Sequence, residues 1–292
     1  MVALRSLRDT VRALAASPVV FLGGLVYALV ITPQSALSLA GVPIVPNLLS
    51  VVTFFVTPFV VAGTIGLAAR ALDGDATFAA FTDVGRRRYL SLLLGNLIEF
   101  GITVLVGVVV LAVGLIVALV LGVGIVAGGG GSMAGALGVG GLLLLGAVGL
   151  VLAVVVAAVF FLVQFYPVAI VYDEADAVEG FTRSYRLVRD DLLATLGFSV
   201  VNLLVGLLTS VPIVALVAVR AIRRGGVGPG APGAPPGPAA GMGPGVGPAG
   251  GVVGGLFSLP EVLALTAVSL ALTTVLMAFR QTYATAFYRA AV

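Results

Sequence analysis

Long apolar tracts separated by short charged segments set the pattern of this chain, and the most informative alternation lies at 160–206. An apolar run, Phe160–Val171, gives way to the polar island DEADAVEGFTRSYRLVRDD at 173–191, and a second apolar run starts at Leu192. The island holds nine of the charged residues in a chain with 15 cationic and 12 anionic side chains. Both flanking runs are stable only in lipid, so the island is expected as a short helix lying on one membrane face. Within it Val178, Phe181, Tyr185 and Val188 recur at spacings of 3, 4 and 3, which predicts an apolar stripe. Asp173 is placed to cap its start, and Glu179 precedes Arg183 by four, the favourable ion-pair order.

The same logic along the chain predicts six spans, at about 18–31, 48–69, 93–126, 142–171, 192–219 and 259–279. The expected fold is all-α: a polytopic transmembrane helix bundle in one integral-membrane domain, 1–292, with short cytoplasmic amphipathic helices. Before the first span, Leu4, Leu7, Val11 and Leu14 share a face that Arg5, Arg8 and Arg12 avoid, the pattern of a helix at a membrane surface. A cleavable signal peptide ending near Ser38–Leu39–Ala40 is the rival reading; the long basic region and the later spans argue against it. Pro33–Pro46 reads as a loop, and Pro58 as a kink in the second span. Ala62 with Gly66, and Ala153 with Ala157, carry the small-residue spacing of close helix contacts.

Between 70 and 88 a charged segment predicts a short helix around Phe78 and Phe81, capped by Asp75 and ending at Gly85. The apolar tract from Tyr89 to Val126 exceeds the roughly 20 residues a bilayer needs, so it either projects into the cytoplasm or breaks near Gly95 or Gly101. Gly128–Gly141 reads as a loop, and Pro212 as an interruption of the fifth span. Residues 225–255, almost wholly Gly, Pro, Ala and Val, read as a disordered extracellular tether. Ser258 to Glu261 forms a capping box that starts the last span.

Composition sharpens this picture by exclusion. Sixty per cent of residues are hydrophobic and 9% charged, with a mean hydropathy of +1.23, far from the soluble range. The net charge of +3 is carried by arginine alone, for lysine, histidine and cysteine are absent. Disulfides, thiol and imidazole catalysis, His- or Cys-ligated metals and lysine Schiff bases are thereby excluded. Twelve arginines fall on the side of the termini and three, Arg220, Arg223 and Arg224, on the other, which predicts cytoplasmic termini in the plasma membrane.

Few residues carry candidate chemistry. Glu99 is the one carboxylate placed at membrane depth, with Arg280 as its nearest plausible counter-ion and Asn96, Gln164 and Asn202 at similar depth. Three readings stand: a polar pocket for a proton or substrate, a buried ion pair that fixes packing, or a carboxylate wetted because its helix projects. Arg183, Arg186 and Arg189 form either a platform for anionic lipid headgroups or a partner protein, or a merely solvated face. Asp173, Glu174, Asp176 and Glu179 are compatible with magnesium, but acidic first turns are ordinary helix-start chemistry. Two segments about 100 residues apart also look alike, either as a parallel internal repeat or as chance similarity in a biased composition: Phe54–Phe55, Pro58, Val61–Ala62, Phe81–Thr82 and Leu92–Leu93 echo Phe160–Phe161, Pro167, Val168–Ala169, Phe181–Thr182 and Leu192–Leu193.

The stretches VYDEADAVEGFTRSYRLVRDDLLATLGF (171–198) and QTYATAFYRA (281–290) carry a family likeness. In them the chain resembles uncharacterised multi-pass proteins, chiefly of halophilic archaea, related to the membrane domain of glycerophosphodiester phosphodiesterases. The resemblance implies fold and membrane location; it brings no catalytic residue, because that active site lies in a separate histidine-dependent barrel. The functional expectation is a non-enzymatic membrane protein without cofactor, metal or nucleic-acid partner, whose cytoplasmic helices contact lipid headgroups or another membrane protein. The alternative is a transporter or permease working through Glu99 and Arg280.

Overall fold

A computed structural model describes residues 2–39, 44–127, 133–223 and 259–292. Among the described residues the chain is helical throughout, with no strand, as the apolar tracts require in a medium that offers the backbone no other partner. Six segments are long and apolar enough to cross a membrane. They belong to α2 (Val20–Leu39), α3 (Val45–Asp73), α4 (Phe78–Ala127), α5 (Met133–Val163) with its short continuation α6 (Tyr166–Tyr172), α8 (Leu192–Arg223) and α9 (Leu259–Ala291). Two amphipathic helices, α1 (Val2–Ala16) and α7 (Ala177–Asp190), complete the set. The tether expected at 225–255 lies outside the described residues, as do Arg224 and Ser258 of the capping box.

Several expected boundaries are corrected. Pro33 does not end α2, which continues to Leu39; the Thr32 hydroxyl bonds the Ala28 carbonyl in the turn before it. Pro212 likewise does not interrupt its helix, and Pro58, expected inside its span, lies within the continuous α3. Gly85 does not end a short helix, nor do Gly95 and Gly101 break the third tract: α4 is a single helix of 50 residues, about 75 Å long. Two of these glycines are used for approach instead. A Cβ on Gly85 would press on Phe59, and one on Gly95 would meet the Tyr166 ring at 2.8 Å. Conversely, the fourth tract breaks after Val163, and α6 restarts with Pro167 in its first turn, where a missing N–H costs nothing. The sequence around 133–141 is helical as the start of α5, not loop.

Close contacts follow small residues where helices cross. Gly23 faces Thr64, Gly24 faces the backbone of Thr274, and Gly63 and Gly66 receive Phe81 and Val84. Gly66 thus makes the contact its spacing with Ala62 suggested, and Ala62 is fully buried. Ala153 and Ala157 make none, for both are exposed on α5. At the end of α3, Gly74 takes a left-handed φ of 89° and its N–H returns to the last turn, which lets the chain reverse into α4.

The core gathers at one end of the bundle, the end that carries α1, α7 and most of the charge. Phe165 stacks on Phe287 at 5.3 Å and contacts Phe198 at 4.9 Å; Phe198 in turn lies 4.7 Å from Tyr283. Ile170, Val188 and Tyr288 close the cluster. The far halves of α4 and α5 instead expose Leu105, Leu111, Leu115 and Leu150, which only lipid solvates.

Candidate functional site

The charged face is assembled around the break between α5 and α6. Ser184 of α7 is fully buried; its hydroxyl donates to the Leu162 carbonyl at 2.8 Å and accepts the Phe165 N–H at 3.1 Å. It thus supplies the two hydrogen bonds that the helix loses there. The face α7 turns inward is Ala177, Gly180, Ser184, Leu187 and Val188, small enough for Gly180 to sit directly on Ile170. The expected stripe is rotated from this. Phe181 stacks on Tyr166 at 4.4 Å and Val188 is buried, but Val178 and Tyr185 are exposed at the edge.

Asp173 does not cap α7, which starts after Asp176. Its carboxylate instead accepts from the Tyr288 hydroxyl and pairs with Arg183 at 2.7 Å. Arg183 also bridges to Glu179 at 2.7 Å, and the hydrogen bonds it donates to Asp173 and then Glu179 push its pKa further up. Glu174 holds a left-handed φ of 58° in the tight turn before α7. Arg88 pins it there through both carbonyl and carboxylate, and that hydrogen bond, followed by the guanidinium charge, lowers the Glu174 pKa. Arg289 pairs with Asp73 across to α3. The four acidic residues at 173–179 do not converge, and no metal-holding group of three occurs among the described residues. Of the expected arginine platform, Arg183 is engaged in ion pairs, while Arg186 and Arg189 are exposed and form none among the described residues.

The residues expected at membrane depth separate. Glu99 does not meet Arg280: its Oε2 lies 2.7 Å from the Tyr166 hydroxyl, which also lies 2.8 Å from Asn96 Oδ1. One hydroxyl proton serves one acceptor, so an Asn96 amide turned to donate to the hydroxyl oxygen satisfies the triad. Gln164 accepts from Ser199 at 3.2 Å, leaving its amide nitrogen and the Asn202 carbonyl without partners among the described residues. Arg280 lies across Gly206 on α8, and Tyr27 of α2 is the one titratable group that bears on it among the described residues. The counter-ion pairing failed because α4 meets α6 while α9 meets α2 and α8.

Tyr166 was the partner that residue type did not reveal; its neighbour Pro167, at a helix start, was the available signal. Tyr166→Phe is expected to lower stability by about 1–3 kcal/mol by orphaning Asn96 and Glu99. Glu99→Gln, which keeps both an acceptor and a donor, is expected to cost less. Thermal unfolding in detergent checks the pair, and equal losses would contradict the triad.

The two stretches with family-like sequence converge in space at the bond from Tyr288 to Asp173. Neither a curated protein nor a solved structure matches the chain. Residues 1–291 match the family described as Domain of unknown function (DUF7847). The pattern of six apolar helices makes this a multi-pass membrane protein, and the match spans nearly its whole length, so the chain belongs to the DUF7847 family.

Proposed function

We propose that the protein is a non-enzymatic component of the plasma membrane, with both termini cytoplasmic, whose helices α1 and α7 grip the anionic lipid surface. One observation carries this: each helix turns small residues inward and leaves large apolar ones exposed beside free arginines. On α1 the buried positions are Ser6, Thr10 and Ala13, while Leu4 and Val11 are 69% and 56% exposed beside Arg5, Arg8 and Arg12. On α7, Val178 and Tyr185 are exposed beside Arg186 and Arg189. An apolar edge next to cations suits the headgroup–acyl boundary, where each arginine near an anionic surface contributes about 1 kcal/mol. The likeness to the phosphodiesterase membrane domain belongs to the same reading, as a membrane module without the hydrolase. The permease reading has no comparable support, since Glu99 and Arg280 occupy different helix interfaces.

The native chain has no cysteine, so single cysteines at Leu4 and Val178 report cleanly when labelled with an environment-sensitive fluorophore. In vesicles containing phosphatidylglycerol the emission should be blue-shifted. The shift should vanish in high salt and when Arg5, Arg12, Arg186 and Arg189 become Gln. Identical emission from the two proteins would end the proposal, and a shift requiring added membrane extract would transfer it to a protein partner. Sidedness is tested at Arg186→Cys, which should react from the inside; position 180 is unsuitable because Gly180 is packed against Ile170.

A further inference from the structure

The geometry points to a seat for one anionic phospholipid in the groove between α8 and α9, with Arg280 holding its phosphate. The groove encloses about 300 Å³. Leu203 and Leu207 line it from α8 and Leu272 and Leu276 from α9, interleaved with the hydroxyl side chains Thr209, Ser210, Ser269 and Thr273, and Arg280 stands over Gly206.

Arg280 is the reason to expect an anion. A guanidinium keeps its charge under all ordinary conditions, and placing one in an apolar span costs several kcal/mol unless an anion or water meets it. Among the described residues no carboxylate pairs with Arg280, and the neighbouring Gln281 amide turns to Met277 instead. Its side chain is exposed toward the groove. Gly206 makes room for it: a Cβ there would lie 2.6 Å from Nη2, so the guanidinium rests on the bare backbone of α8.

Depth selects a lipid over a soluble anion. One turn along α9, the Tyr283 hydroxyl donates to the Ala3 carbonyl of α1 at 3.2 Å. Three residues of helix are about 4.5 Å, so Arg280 lies just beneath the level of the surface helix. That is the boundary where phosphates of the leaflet on the charged side meet their acyl chains. From there the four leucines run into the membrane and offer an alkyl chain an apolar surface beside the hydroxyls of Thr209, Ser210, Ser269 and Thr273. A phosphatidylglycerol satisfies both ends, since its phosphodiester pairs with Arg280 and its chain fills the groove. This seat does not depend on the arginines of α1 and α7.

The test is native mass spectrometry of the full chain released from detergent after exchange with dioleoyl phosphatidylglycerol, dioleoyl phosphatidylcholine or inorganic phosphate. The expected result is one retained phosphatidylglycerol per chain, at least tenfold more occupied than phosphatidylcholine, and unaffected by millimolar phosphate. Arg280→Gln should abolish the preference. Leu272→Trp, which fills the groove and keeps the cation, should abolish retention and decides the matter if the first variant fails to fold. Equal retention of the two lipids, displacement by phosphate, or wild-type retention in the groove-filled variant would each overturn the seat. The surface arginines remain intact in both variants, so the emission of the fluorophores at positions 4 and 178 is expected to stay unchanged.

Discussion

Gly24→Ala is expected to destabilise the protein by about 2–3 kcal/mol, although alanine is ordinarily the better helix former. A methyl there would run into the Thr274 carbonyl oxygen of α9 and approach the Ala278 nitrogen at 3.2 Å. Both obstacles are backbone, so no rotamer change relieves them and α2 must move away from α9. Those helices share one of the most extensive interfaces in the bundle. Gly107→Ala on α4 is the control, because nothing lies within 4 Å of its added methyl. It is expected to be neutral or to stabilise by up to about 1 kcal/mol. Thermal unfolding in detergent should separate the two variants by several degrees, and coincident curves would show that the α2–α9 crossing is looser than described.

Ser184→Ala is expected to cost about 2–4 kcal/mol, because it removes one hydroxyl and strands two backbone groups at about 1–3 kcal/mol each. The Phe165 N–H and the Leu162 carbonyl have no alternative where α5 breaks, and Phe165 is fully buried. Thr182→Ala, two residues away on the exposed side of α7, loses only a bond to its own helix and is expected to be nearly silent. Amide hydrogen exchange gives a local readout: the Phe165 amide should exchange faster in Ser184→Ala and not in Thr182→Ala. Unchanged exchange at Phe165 would mean that water already satisfies the break.

What the sequence discloses follows from how lipid constrains a chain. Apolar tracts longer than a bilayer crossing must be helices, so the all-α bundle and its six spans were readable. Helix ends were less so, because in lipid a proline or glycine does not have to stop a helix. Pro33 stayed inside α2, and Gly85 and Gly95 served Phe59 and Tyr166 instead of ending α4. The real break, after Val163, was marked by Pro167, which has the geometry of a first turn. The apolar stripe of α7 was misplaced because its inward face combines Leu187 and Val188 with Ala177, Gly180 and Ser184, small residues that hydrophobicity alone does not flag. Glu99 and Asn96 were visible as polar residues within an apolar tract. Their link, Tyr166, lies 67 residues from Glu99 and looks from its type alone like core.

The unbroken α4 has a mechanical consequence. A continuous ladder of backbone bonds makes a stiff rod, and this one passes from the arginine cluster at 86–88 through the bilayer to its far side. With a length of about 75 Å, a tilt of about 5° pivoted at one end sweeps the other sideways by about 6 Å, close to one helical pitch. Small displacements near the charged surface are therefore magnified across the membrane as through a lever arm, with no hinge along the way to absorb them.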